Sequence, residues 1–157
     1  MITGTELKQA LVDAGVPEGV IRLRDGAYRL PKLQWVVGAF ADAWENALES
    51  LKVSDWTPEK FDCDDFARLA AAFAGLMHAT TEGAGAAGLA FGEFWYCIGG
   101  AANNEHAVVV FVTQEANGLQ VWFWEPQLEE RNGFRVARME ALKLTDIEVE
   151  SCTECSI

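Results

Sequence analysis

Residues 105 to 127 read EHAVVVFVTQEANGLQVWFWEPQ. Two runs rich in Val, Phe and Trp flank the turn signal EANG, a pattern that predicts an antiparallel hairpin. If EANG is a four-residue loop, Gln114 pairs with Leu119, and counting back sets His106 opposite Gln127 with Glu125 on the diagonal. The two side chains then leave the same face of the sheet, with Cβ atoms ~7 Å apart, within reach of an imidazole and a carboxylate. A two-residue Asn-Gly turn keeps them on one face but one further diagonal apart. Taken alone, a histidine heading a run of valines is an ordinary surface or core residue. Glu125 is what makes His106 a candidate for chemistry.

Outward from the hairpin, LAFGEFWYCI (residues 89–98) reads as another strand, and RVAR and KLTDIEVE near the C-terminus as one or two short ones. The first half of the chain has a different texture. TGTELKQALVDAG begins with threonines able to cap and carries Leu7, Ala10, Leu11 and Ala14 at helical spacing up to Gly15. Residues 16–31 read as irregular connection with Tyr28 as an anchor. A longer helix is expected over 32–52, with Trp35, Phe40, Ala43, Ala47, Leu48 and Leu51 along one stripe. After SDWTPEKFD, helical spacing resumes in FDCDDFARLAAAFAGLMH (residues 61–78), followed by the glycine-rich TTEGAGAAG. Helices first and antiparallel strands second argue an α+β fold in one domain spanning residues 1–157.

Composition sets limits on the partners. Half of the 157 residues are apolar and 11% are aromatic, ample for a packed core. The net charge of −12 disfavours attraction to phosphate backbones, so no nucleic-acid partner is expected. An acidic surface serves solubility or collects cations. The opening MITGTELKQAL lacks a basic region followed by an apolar one, and no run of 18 apolar residues occurs, so no membrane association and a cytoplasmic location are expected. Four cysteines, Cys63, Cys97, Cys152 and Cys155, are too few and too unevenly spaced for a disulfide scaffold. Cys152 and Cys155 form a C-x-x-C without the second pair that a structural zinc site needs, and read as tail thiols.

Cys63 stands where the third helix begins. There the helix dipole and free backbone N–H groups stabilise a thiolate, and the same N–H groups can donate to an oxyanion. Of the two histidines, His78 lies 15 residues further along the same helix, roughly 22 Å away at 1.5 Å per residue, and cannot serve Cys63. His106 with Glu125 can complete a nucleophile, base and orienting acid in the chain order Cys, His, Glu.

FDCDDFARLAAAF, EHAVVVF and WFWEPQ, within residues 56–127, resemble the papain-like and transglutaminase-like cysteine peptidases. They are similar in particular to the calcium-dependent peptidase domain attached to a fairy-ring mushroom agglutinin. The resemblance implies a papain-like fold, a Cys63–His106–Glu125 catalytic triad, a peptide or protein substrate, and calcium. Nothing in the chain matches the agglutinin's lectin portion, and residues 1–50 lie outside the match.

Three aspartates flank the thiol. Asp62 can cap the helix while Asp64 and Asp65 complement its dipole. Alternatively Asp64 and Asp65 are ligands of a Ca²⁺ that neutralises the cluster, though adjacent helical positions point about 100° apart. Papain-like enzymes place an oxyanion-binding side chain just upstream of the nucleophile. Here Trp56 either donates its indole N–H or packs under the loop, and Gln127 is a second polar candidate. The sequence thus predicts a thiol acyl-transfer enzyme, a peptidase or amidase. The alternatives are an idle binding or inhibitory module on the same fold, and a transglutaminase-type acyltransferase.

Overall fold

The computed structural model describes residues 1–53, 61–81, 85–97, 105–127, 129–131, 134–136 and 151–157. Trp56, the KLTDIEVE segment and parts of the RVAR, SDWTPEKFD and TTEGAGAAG segments lie outside these residues.

Strand β1 (Ile2–Thr3) leads into helix α1 (Gly4–Asp13). The start of α1 is fixed by a reciprocal cap: the Glu6 amide donates to Thr3 Oγ1 at 3.2 Å, and the Thr3 amide donates to Glu6 Oε2 at 2.7 Å. The stretch expected to be irregular holds two short strands, β2 (Ile21–Arg22) and β3 (Ala27–Arg29). Tyr28 is the anchor its position suggested. It is fully buried, accepts from the Asp25 amide at 2.7 Å and donates to the Ile157 carbonyl at 3.1 Å.

The expected long helix is interrupted. α2 (Leu33–Trp35) widens into a π turn (Val36–Phe40) before α3 (Ala41–Leu51), which ends at Lys52 in the left-handed region (φ 57°). Val36 and Phe40 of the wide turn are both buried, and Phe40 packs edge-on against Phe91 and Trp124 at 5.0 and 5.6 Å. Helix α4 (Cys63–Ala79) starts at the thiol, as expected. Its small buried residues, Ala67, Ala70 and Ala74, line a face turned to the sheet.

β4 (Gly88–Leu89), β5 (Phe91–Cys97), β6 (Glu105–Glu115), β7 (Gly118–Trp124), β8 (Glu129–Arg131), β9 (Phe134–Val136) and β10 (Ser151–Ser156) follow. Among the described residues β2, β10, β5, β6 and β7 form one sheet in that order, β1, β3 and β4 a second, and β8 with β9 a two-stranded third. The chain is α+β, but its sheets are not wholly antiparallel: β10 runs parallel to β2, and β3 to β4. β10 carries Cys152 and Cys155, so these are not tail thiols. They stand on an interior strand, and Cys155 is fully buried.

Strand alternation divides the core in two. Phe94, Tyr96, Val108, Val110 and Phe123 pack with Leu7 and Leu11 of α1 on one face. Phe91, Val109, Phe111 and Trp124 meet Phe40, Trp44, Phe66 and Ala70 on the other. The β6–β7 register contains the pair Gln114↔Leu119, the register expected for the EANG loop, and extends one step to Glu115↔Gly118. Gly118 has φ +112°, a value that favours glycine at this corner. Within the sheet, a Cβ on Gly92 would collide with the Ser156 carbonyl oxygen, so only glycine lets β10 close on β5.

Candidate functional site

Cys63 and His106 come from different elements that meet at one end of the main sheet. Cys63 is the first residue of α4, and His106 the second of β6. By alternation His106 projects on the α1 side, with Val108 and Val110, whereas α4 packs on the opposite side. The thiol reaches the imidazole because both stand at the very ends of their elements.

Glu125 lies one residue beyond β7. Its Oε2 accepts from His106 Nε2 at 2.5 Å, and its Oε1 accepts from the Gln127 amide at 3.2 Å. Both carboxylate oxygens are therefore engaged, which fixes the acid and, through it, the ring. The imidazole side chain is 20% exposed and the carboxylate 9%. Burial works against a charged ring, but hydrogen bonds to Cys63 and Glu125, with the negative charge of each, outweigh it and hold His106 up at about 10. With Nε2 bound to Glu125, the other ring nitrogen, Nδ1, is left for the sulfur. Chemically this is a thiol, an imidazolium and a carboxylate in series, with Cys63 partly exposed to a ligand.

His78 takes no part. Its Nε2 lies 3.2 Å from the Ala87 carbonyl, at the other end of α4. Gln127 is buried, and its side-chain Nε2 finds no hydrogen-bond partner among the described residues. A buried amide left unpaired beside a polar centre is costly unless something else accepts from it. Trp56 lies outside the described residues.

The aspartates do not behave as the capping expectation had it. Asp62 occupies the N-cap position, but its side chain makes no capping hydrogen bond, and its Oδ1 is buried without a partner among the described residues. A side-chain hydrogen bond to Asp64, followed by burial and the charges of Asp64 and Asp65, raises Asp62 to about 6. Asp64 also faces Arg68, whose guanidinium is 3.3 Å away and lies 3.8 Å from Glu93. Asp62, Asp64 and Asp65 can bring one oxygen each within 4.8 Å of one another. Ca²⁺ takes six to eight oxygens. Three from one turn, one of those residues already paired with Arg68, are a partial set, and no step of the chemistry is assigned to a metal.

Sequence reasoning missed Tyr96. It pairs across strands with His106, and its ring centroid lies 5.6 Å from the imidazole at 86°. The β5–β6 register could not be counted from the sequence because seven residues, 98–104, separate the two strands.

A thiol–imidazole–carboxylate centre at the end of a mixed sheet is thus the class of site that the fold builds. No protein-family model matches the chain, and neither does any curated protein. Several solved structures share the fold, among them the two that follow. "PSL1a-E64 complex" is 24% identical with a TM-score of 0.62, over 86% of this chain and 46% of that one. A structure of Polyporus squamosus lectin, bound to the human-type influenza-binding epitope Neu5Aca2-6Galb1-4GlcNAc, is 21% identical with a TM-score of 0.62, over 90% and 48%. The chain spans about half the length of each.

These neighbours overturn the resemblance to papain-like and transglutaminase-like cysteine peptidases. These two neighbours are lectin structures, so the papain-like assignment, the peptidase or amidase activity and the peptide or protein substrate are not retained. The resemblance rested on three short motifs, which fix the order of a Cys, a His and a Glu. A hairpin of this register delivers that order without prescribing what the site does. As to location, among the described residues no helix is long and apolar enough to cross a membrane.

Proposed function

We propose that the chain is a ligand-binding module whose binding site is centred on Cys63, His106 and Glu125. The observation that carries it is the hydrogen-bonded series at the sheet's end, in which Glu125 orients the imidazole, the imidazolium faces the sulfur, and Cys63 stays partly exposed. Such a centre offers a ligand a soft nucleophilic atom beside a fixed cation. Gln127, whose backbone amide donates to Glu125, carries a buried side-chain Nε2 without a partner among the described residues, as does the indole Nε1 of Trp124, and is the candidate donor to a ligand oxygen. The likeness to lectin structures supports binding over turnover, and favours carbohydrate over peptide as the ligand class. It is a likeness of fold, and the site's own chemistry has to be tested directly.

The test is calorimetric titration of wild type, Cys63→Ser and His106→Ala with the ligands of the two neighbouring structures, E64 and the trisaccharide Neu5Aca2-6Galb1-4GlcNAc. Saturable binding of either ligand to wild type, weakened by both substitutions, supports the reading. Binding of neither ligand, or binding indifferent to both substitutions, contradicts it. Cys63-dependent multiple turnover of a peptide or ester panel would also contradict it.

A further inference from the structure

His106 is fixed at Nε2 by Glu125, which leaves its other ring nitrogen for the hydrogen bond to Cys63. Two hydrogen bonds in the plane of a ring leave its tilt about their common axis open, so something must act on the faces or edge. Tyr96 is the residue placed to do so. It is the direct cross-strand partner of His106, the centroids are 5.6 Å apart, and the rings are nearly perpendicular at 86°. This is the preferred geometry of an aromatic pair, positive edge to negative face.

Tyr96 is itself immobilised. Phe94 stacks on it at 5.7 Å and 26°, and Phe94 in turn packs on Phe123 of β7 at 4.6 Å. On the other side Cys152 of β10 is its cross-strand partner. A row of rings, Phe123, Phe94, Tyr96 and His106, therefore runs along one face of the sheet from its core to the thiol. Burial first, then the charges of Glu125 and Cys63, pushes the Tyr96 phenol up to about 12, so it remains neutral beside the imidazolium.

We infer that Tyr96 is a positioning residue for the Cys63–His106 pair: its ring sets the tilt of the imidazole so that one nitrogen meets Glu125 and the other the sulfur. This rests on the proposed reading of the site, and it extends that reading from three residues to the aromatic row behind them.

The test measures the rate of Cys63 carbamidomethylation at pH 7 by mass spectrometry and the titration of His106 by NMR. It compares wild type, Tyr96→Phe, Tyr96→Leu, Tyr96→Met and His106→Ala. Tyr96→Phe, which keeps the ring, retains the wild-type rate and His106 titration. Tyr96→Leu slows Cys63 roughly threefold to tenfold, the worth of an aromatic pair contact, and lowers the His106 midpoint. Tyr96→Met stands in if the leucine variant does not fold. A folded ringless variant with unchanged rate and midpoint overturns the inference, whatever its melting temperature. His106→Ala separates the two levels: if it too leaves Cys63 as reactive as wild type, the site reading fails, whereas a slow His106→Ala beside a fast Tyr96→Leu removes only the role of Tyr96.

Discussion

Protonation decides what His106 contributes to the fold as well as to the site. Its folded value is raised from 6.5 to about 10, so the ion pair stabilises fully below about pH 6.5 and the contribution is lost as pH rises toward 10. Glu125→Gln, which removes one of the two negative partners, should shrink the fall in melting temperature between pH 7 and pH 10. An equal fall in both proteins would show that the pair does not matter to stability. Asp62 has the same sign, the reverse of an ordinary ion-paired carboxylate. A carboxyl raised from 3.8 to about 6 binds its proton more tightly in the folded state, so its contribution to stability decreases as pH rises across that window. Reactivity should also be ordered by position. Cys63 should alkylate before Cys97 and Cys155, because both of these are buried and burial pushes Cys155 up to about 12. Mass-spectrometric mapping of the first modified thiol checks this, and modification of Cys155 first would contradict it.

At the scale of the element, two joints carry testable weight. Thr3→Ala removes the reciprocal cap of α1 and should cost about 1 kcal/mol in denaturant unfolding. Gly92→Ala places a Cβ against the backbone of Ser156 and should cost about 1–3 kcal/mol by forcing β10 away from β5. An unchanged denaturation midpoint in either variant would remove that joint from the account. The same elements show how far the sequence could be read. The hairpin register was legible because a short turn pins it, and from it the approach of His106 to Glu125 could be counted. The start of α4 at Cys63 was legible from apolar spacing. β10 was not. SCTECS is short, half polar, and carries a bulge between Cys152 and Glu154 that disrupts alternation. The π turn was not legible either, since Trp35 to Leu48 fit an ordinary helical stripe. The Asp62–Asp64 hydrogen bond depends on side-chain rotation, which spacing does not specify.

For the whole molecule, the sheet and its two cores explain why the site lies where it does. α4 covers one face and α1 the other, and the thiol and imidazole meet where the sheet ends and neither helix intervenes. Three motifs in sequence order led toward a peptidase, while the fold as a whole matches lectin structures that are about twice as long as this chain. That contrast is physical: a triad is a local constellation that many scaffolds can hold, and fold similarity reports how the chain packs. The account stands on the claim that ligand binds at Cys63. The most direct measurement is the rate of Cys63 carbamidomethylation with and without saturating E64 or Neu5Aca2-6Galb1-4GlcNAc, with Cys152 as the internal reference. The account predicts that one of these ligands slows Cys63 at least about tenfold, the effect of near-complete occupancy, while Cys152 is unaffected. Equal rates for Cys63 with and without both ligands would contradict it.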